Sequence, residues 1–239
     1  MPNRDNATER PLLSLILPVL DEAATLPAQL ARLQDLRRRG AEVLVVDGGS
    51  TDATPILAQP LVDRLIAAPR GRAAQMNAGA GAARGQVLLF LHADTTLPPA
   101  ADALIHAAIA AGAAWGRFDV RIDARHPLLR LVERMMNWRS RLSGIATGDQ
   151  AIFVRHDIFT RLGGFPELPL MEDIAFSKLL KRIARPACLR AQVLTSGRRW
   201  EKHGVLRTIV LMWRLRASYF LGADPQRLAI RYGYAPRQR

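Results

Sequence analysis

The stretch Val43-Leu44-Val45-Val46-Asp47-Gly48-Gly49-Ser50-Thr51-Asp52 is a short apolar run that stops on a carboxylate. Four consecutive apolar residues without period-two alternation predict a strand covered on both faces, as in a parallel sheet. Open α/β sheets meet their ligands at the carboxyl ends of strands, which makes Asp47 a candidate contact. Gly48 and Gly49 permit a positive φ and a close backbone approach. Ser50, Thr51 or Asp52 can cap the next helix, whose free N–H groups favour an anion. An ordinary turn with an N-cap is the competing reading of this fragment alone.

The surrounding sequence repeats the pattern. Leu12–Leu17, Leu65–Ala67 and Val87–Leu91 read as further apolar strands. Between and after them, helical periodicity covers Thr25–Arg39, Asp52–Gln59, Arg72–Ala83 and Pro99–Ala111. Strands alternating with helices predict a doubly wound, mostly parallel α/β sheet. The second half is less regular. Trp115–Ile122, Ala151–Val154 and Leu189–Leu194 read as strands, and Glu172–Ile183 as a helix burying Phe176, Leu179, Leu180 and Ile183. Pro127–Leu142 is an amphipathic helix with Leu128, Leu131, Val132, Met135 and Leu142 on one stripe. Val205–Leu221 is a basic, apolar helix. The expectation is one domain over residues 1–239, with a nucleotide-binding half at about 12–112 and an acceptor half at about 113–239.

A second strand also ends on chemistry: Leu88-Leu89-Phe90-Leu91 runs into His92-Ala93-Asp94-Thr95. Residues two apart in an extended chain share a face, so His92 and Asp94 project together. A hard carboxylate beside a phosphate site suits Mg²⁺ or Mn²⁺, which keeps waters and shares phosphate oxygens. Gly79, Gly81 and Gly85 lack dinucleotide-fingerprint spacing and lie in a helical pattern, so they predict close helix–sheet packing. Arg70 and Arg72, at that helix's start, are placed to meet a diphosphate. Glu172 and Asp173 open a later helix, either as dipole compensation or as a general base facing the site.

The segments "LSLILPVLDEAATL", "VLVVDGGSTDAT", "LLFLHADTTLP", "GDQAIFVRHDIFTRLGGFPELPLMEDIAFSKLLKR" and "GRRW" occur in an order that resembles the family 2 glycosyltransferases of GT-A fold. More narrowly, they resemble a small soluble bacterial branch with an HADT motif. The resemblance spans roughly residues 12 to 220. It implies an inverting enzyme that moves a sugar from a nucleotide-diphosphate donor, a UDP-sugar, to an acceptor hydroxyl. It implies that Asp47 contacts the nucleoside base, with Pro18 and Glu22 beside it. Asp94 then matches the last acid of the D-x-D motif and holds Mn²⁺ or Mg²⁺ on the diphosphate. Asp173 matches the general base and, with Glu172, forms the E-D motif. Arg199 and Trp200 match the end of the Q-x-x-R-W motif, near donor diphosphate and acceptor. Asp149 and Gln150 fall on the acceptor-side loop, after Gly148. Two positions depart from the pattern: His92 replaces the first acid of D-x-D, and Ser196 stands in place of Gln. His92 and His203 are further candidate metal ligands. Without the resemblance, displacement at an anomeric carbon still needs a base and charge stabilisation for the departing diphosphate. Asp173 could supply the base; metal at Asp94 with Arg72 or Arg199 could supply the charge.

Composition narrows the alternatives. The chain has 239 residues and 34 Lys+Arg against 21 Asp+Glu, a formal net charge of +13. That points to an anionic partner: nucleotide, nucleic acid or membrane surface. Zinc-finger spacing and aromatic RNA-binding signatures are absent, and aromatics are only 6% of residues, so no nucleic-acid partner is expected. A basic scaffold or nucleic-acid-binding protein stays as the alternative, marked by a steep salt slope without response to nucleotide sugars. A nucleotidyltransferase would carry a glycine-rich loop after the first strand, and "PVLDEAATL" has none. Apolar content of 49% is enough for a sizeable core. A single cysteine, Cys188, excludes an internal disulfide and fits a reducing cytoplasm. The N-terminal "MPNRDNATERP" lacks a signal-peptide apolar region, and no run of about 18 apolar residues predicts a membrane span. The stripes of Pro127–Leu142 and Val205–Leu221 are expected to pack on the sheet; peripheral contact with an anionic membrane, and a lipid acceptor, is the other reading.

Overall fold

The computed structural model describes residues 12–234; the polar stretch Met1–Pro11 lies outside the described residues. Eight strands form one sheet in the order β3-β2-β1-β4-β7-β6-β8-β5. They are β1 (Leu13–Val19), β2 (Glu42–Asp47), β3 (Arg64–Ala67), β4 (Val87–Phe90), β5 (Thr95–Thr96), β6 (Trp115–Asp123), β7 (Phe153–Arg155) and β8 (Ala187–Ser196). β3, β2, β1 and β4 run parallel, with Val19 opposite Asp47 in register. β7 inserts antiparallel between β4 and β6, and β6 and β8 are again parallel.

The apolar strand runs are covered on both faces, as their sequence requires. Leu15, Leu17, Val43, Val45 and Leu89 face one layer, with α1 (Leu26–Arg38) and α4 (Ala101–Ala110) packed over them. Ile16, Leu44, Val46, Leu88 and Phe90 face the other, under α3 (Arg72–Ala82) and α7 (Glu172–Lys181). Of the three glycines expected to pack closely, Gly79 in α3 and Gly85, which lies beyond the end of α3, do so. A Cβ on Gly79 would lie 2.5 Å from Ile16, and one on Gly85 would lie 2.6 Å from the Ser14 hydroxyl; Gly81 meets nothing within 4 Å. Ile183 lies beyond the end of α7 and is exposed rather than on its buried face. The remaining helices are α2 (Thr54–Ala58), α5 (Pro127–Ser143), α6 (His156–Arg161), α8 (Arg198–His203), α9 (Val205–Phe220) and α10 (Pro225–Tyr232). No helix among the described residues is long and apolar enough to cross a membrane.

The orientation of α5 overturns the expected packing of its apolar stripe. Its inward residues are Leu129, Glu133, Asn137 and Ser140, and Leu131, Met135 and Leu142 are exposed. The reason is the shortness of β7, which pairs with β6 only at Trp115 and Gly116. The backbone of β6 beyond that point needs other partners. Asn137 supplies two, accepting from Val120 N–H at 2.8 Å and donating to Val120 C=O at 3.0 Å. Glu133 accepts from Ile122 N–H at 2.5 Å. The buried Arg117 guanidinium donates to the Asn137 carbonyl at 3.1 Å. Backbone satisfaction therefore outweighs burial of the apolar face. Asn137→Leu would leave two buried backbone groups unpaired, at about 1–3 kcal/mol each. With roughly 2–4 °C per kcal/mol in a chain of this size, the thermal midpoint should fall by several degrees at least. A melt by circular dichroism within 2 °C of wild type would contradict this account.

Candidate active site

The carboxyl ends of β6 and β8 and the residues after β4 line a cavity of about 850 Å³, and the loop after β1 borders it through Glu22, 3.7 Å from Arg198. Its polar wall is made by Arg72, His92, Asp94, Asp149, Arg198 and Arg199. Its apolar walls come from α5 and α9.

Asp47 ends β2 and is nearly buried. Its carboxylate accepts from the N–H groups of Gly49 and Ser50, each at 3.0 Å, so the loop is wrapped around it. Gly49 takes φ +88°, which the turn requires. The loop after β1 locks onto this one. Asp21 accepts from Thr51 N–H at 2.7 Å, and Glu22 N–H donates to the Thr54 hydroxyl at 2.8 Å. Asp52, one residue before the N-cap Ala53, accepts from Thr54 N–H at 2.9 Å at the start of α2. Buried Gln75 ties the two strand ends together, donating to the carbonyls of Val19 and Val46 at 2.8 Å each. Pro18 lies in β1 opposite Val46.

Asp94 follows β4, half-buried in the cavity wall. Burial pushes its carboxyl above the usual range; His92 and Arg198 oppose this, and Asp149 and Glu22 add to it. Burial alone would pull the His92 imidazole down, but Asp149, 3.6 Å from Nδ1, and Asp94 lift it above its ordinary value. Burial raises Asp149, yet His92, Arg72 and Arg216 outweigh that and hold it low. Gly148 makes this arrangement fit: a Cβ there would lie 2.4 Å from His92 Nε2.

Asp173 stands at the start of α7, after Met171 in the left-handed region at φ +68°. Its Oδ2 accepts from Gly148 N–H at 2.8 Å, joining it to the His92–Asp149 side of the cleft. Glu172 is almost fully buried and pairs with Arg72 at 2.8 Å. Burial raises the Glu172 carboxyl, with Arg72 opposing and Asp173 adding. Arg72 is raised despite burial, through Glu172 and Asp173. Arg199 donates to the Tyr232 carbonyl at 2.7 Å and lies over that ring at 3.6 Å. Trp200 lines the cavity beside it.

Cavity-lining atoms thus come from Arg72, Asp94, Asp149, Arg199, Trp200 and His92. Asp47, Pro18, Glu22 and Asp173 lie in the bordering loops and strand ends. Gln150 is fully buried and turned toward Asn137 and Thr147, and Glu172 is engaged behind Arg72. His203 sits at the exposed end of α8, away from the cavity lining. Arg70 is exposed.

Three residues escaped the sequence reading. Gln75 sits inside a plain helical pattern and carries no signal. Arg139 and Arg216 line the cavity through α5 and α9. Each falls one turn after an apolar lining residue, Met135 and Met212, so a charge on the apolar stripe was the available sign.

Among the described residues, no three His, Cys, Asp or Glu side chains converge as a closed metal centre. The donor set fits another kind of site. Asp94 is a partly buried acid with Asp149 and Glu22 close enough to raise its proton affinity, a local negative charge that a cation relieves. A hard carboxylate in that setting fits Mn²⁺ or Mg²⁺, which Asp94 would hold.

A sheet with acid-tipped strand ends over one cleft is the GT-A glycosyltransferase fold. The family model "Glycosyl transferase family 2" matches residues 14–162, and the chain belongs to that family. It is 42% identical over 94 residues to a PGL/p-HBAD biosynthesis glycosyltransferase of Mycobacterium tuberculosis. That match takes in 36% of this chain and 37% of the relative's length. The solved structure of S. aureus TarS in complex with UDP is 20% identical, covering 77% of this chain and 60% of that one, with a TM-score of 0.63. The mannosyltransferase PcManGT from Pyrobaculum calidifontis, solved with GDP-Man and Mn²⁺, is 24% identical, covering 96% and 67%, with a TM-score of 0.61.

Proposed function

We propose that this chain is an inverting glycosyltransferase that moves a sugar from a nucleotide-diphosphate sugar, in first place a UDP-sugar, to an acceptor hydroxyl. The observation that carries the reading is that Asp94 and Asp149 line one arginine-rich cavity and that Asp173, at the start of α7, is tied by its hydrogen bond to Gly148 N–H to the loop bearing Asp149. Residues 12–112 serve the donor, and the remainder serves the acceptor while supplying Arg199 to the donor. Asp47, with Pro18 and Glu22 beside it, meets the nucleoside. Arg72 and Arg199 face the diphosphate.

The acceptor hydroxyl oxygen attacks the anomeric carbon from the face opposite the diphosphate. The carbon–oxygen bond to the diphosphate breaks as the new one forms, so configuration inverts and no covalent enzyme intermediate is needed. Asp173 takes the hydroxyl proton, and its hydrogen bond to Gly148 N–H fixes where it waits. Glu172 holds Arg72 toward the cleft, and Arg72 offsets charge on the departing nucleoside diphosphate. Asp94 would hold the divalent ion, with His92 supporting the loop beside it; when bound, the ion neutralises charge on the leaving diphosphate. In the TarS and PcManGT structures, UDP, GDP-Man and Mn²⁺ are bound in folds of this type, which supports the donor and metal assignments.

A thermal-shift panel of UDP, GDP, CDP and ADP, each with and without Mn²⁺, tests the donor site. A ligand that binds only the folded state raises its stability by about 2.7 kcal/mol at a hundred times its Kd. UDP with Mn²⁺ should raise the midpoint by several degrees. Asp94→Asn should abolish the Mn²⁺-dependent part. No shift with any nucleotide, in a protein that melts cooperatively, would bring the basic scaffold reading forward.

A further inference from the structure

Two helices of this fold are amphipathic in the reverse sense. α5 turns polar residues to the sheet, and α9 fully buries only Thr208 and Leu215. Their apolar stripes face each other across the outer part of the cavity: Leu131, Met135 and Trp138 from α5, and Leu206, Met212 and Trp213 from α9. The patch is open, with Trp138 67% and Trp213 60% exposed. Apolar surface of this extent, continuous with an active-site cleft, marks a binding groove.

The inner end of the groove is cationic. Arg139 carries an Nε and an Nη shielded from solvent and without a hydrogen-bond partner. Burial, with the positive charge of Arg216, pulls the Arg139 guanidinium down to about 10. Neither arginine has a salt-bridge partner among the described residues. Two neighbouring guanidiniums in a low-dielectric cleft form a ready site for a dianion. Arg207 and Arg214 on α9 and Arg134 on α5 are exposed, so the groove opens on a cationic surface with two tryptophans at its rim. Such a rim suits an anionic lipid interface.

From this charge and apolar complementarity we infer that the acceptor is a membrane-borne amphiphile whose hydrocarbon chain lies between α5 and α9, whose phosphate monoester is held by Arg139 and Arg216, and whose head carries the attacking hydroxyl beside that phosphate. The inference rests on the glycosyltransferase reading and names its acceptor class. The phosphate anchors the head beside Asp149 and Asp173, and the rim lets the chain enter from the bilayer surface.

Tryptophan fluorescence titration with octyl, decyl and dodecyl phosphate, each below its micelle concentration, tests it. Kd should fall roughly three- to fourfold per added methylene while the chain still finds groove wall. Decanol and inorganic phosphate should each bind at least tenfold more weakly than decyl phosphate. The Arg139→Met/Arg216→Met variant should weaken decyl phosphate at least tenfold while keeping a cooperative melt and its UDP–Mn²⁺ thermal shift. A Kd independent of chain length overturns the proposal. So does loss of the UDP–Mn²⁺ shift in the folded double variant, which would assign both arginines to the donor. A dimer in sedimentation velocity that decyl phosphate neither binds nor dissociates also overturns it, since a second copy would then fill the groove. The two readings fail separately. Nucleotide binding without chain-length dependence removes the amphiphile alone. Chain-length dependence without any nucleotide shift removes the glycosyltransferase reading and leaves a lipid-phosphate site.

Discussion

Asp173→Asn should lower turnover by roughly 10²–10⁴-fold and leave nucleotide binding in place. The amide has the shape of the carboxylate but cannot accept the acceptor's proton. An Asn oxygen can still accept from Gly148 N–H, the 2.8 Å bond that ties the α7 entry to the loop bearing Asp149. The second bond, to Ile174 N–H at 2.7 Å, is the one put at risk, so a stability cost of about 1 kcal/mol accompanies the change. The measurement is UDP release from a UDP-sugar with a lipid extract as acceptor source, beside the UDP–Mn²⁺ thermal shift. A fall in turnover with an unchanged shift assigns a role in the chemical step. Turnover within threefold of wild type would move the base to another group, with Asp149 the first candidate by position.

The strands were readable because burial on both faces leaves an uninterrupted apolar run, and such runs at Leu15–Val19, Val43–Val46 and Val87–Phe90 have few other uses. The ends of those runs were readable too, because a carboxylate after four apolar residues has to leave the core. Asp47 ends β2 for that reason, and Asp94 stands in the loop just after β4. What the sequence concealed was pairing between distant parts. Nothing local announces that Gln75 will bridge the ends of β1 and β2, or that Glu172 will be spent on Arg72, a hundred positions away. The two-residue β5 exists only because β8 pairs with it.

Helix α5 shows where periodicity misleads. Its apolar stripe is real, yet burial went to the face carrying Glu133 and Asn137. Periodicity reports that a helix has two faces. It does not report which neighbour each face will find. A sheet edge with unpaired N–H and C=O groups outbid an apolar layer here, because an orphaned buried backbone group costs more than an exposed leucine. The outward stripe then became cavity wall, and so the same misreading hid that end of the cavity.

Arg72→Met should destabilise the fold by about 3–5 kcal/mol near neutral pH, because it leaves the Glu172 carboxylate buried without its partner. At roughly 2–4 °C per kcal/mol, the melting midpoint should drop by about 6–20 °C. The size of the deficit should depend on pH, with a sign that follows from Glu172. Burial already holds this carboxyl above its ordinary value, with Arg72 pulling the other way. Removing Arg72 raises it further. A carboxyl raised in the folded state destabilises the fold above its unfolded pKa, since the unfolded chain ionises it first. The deficit should therefore be small near the ordinary carboxylate pKa and grow as pH rises toward the folded value. Glu172→Gln placed on Arg72→Met should recover much of the loss and flatten its pH dependence, while failing to restore turnover if Arg72 acts on the departing diphosphate. A deficit that stays constant with pH, or that the second substitution leaves untouched, would mean that Arg72 contributes packing alone and that the pair does not position a cation for the reaction.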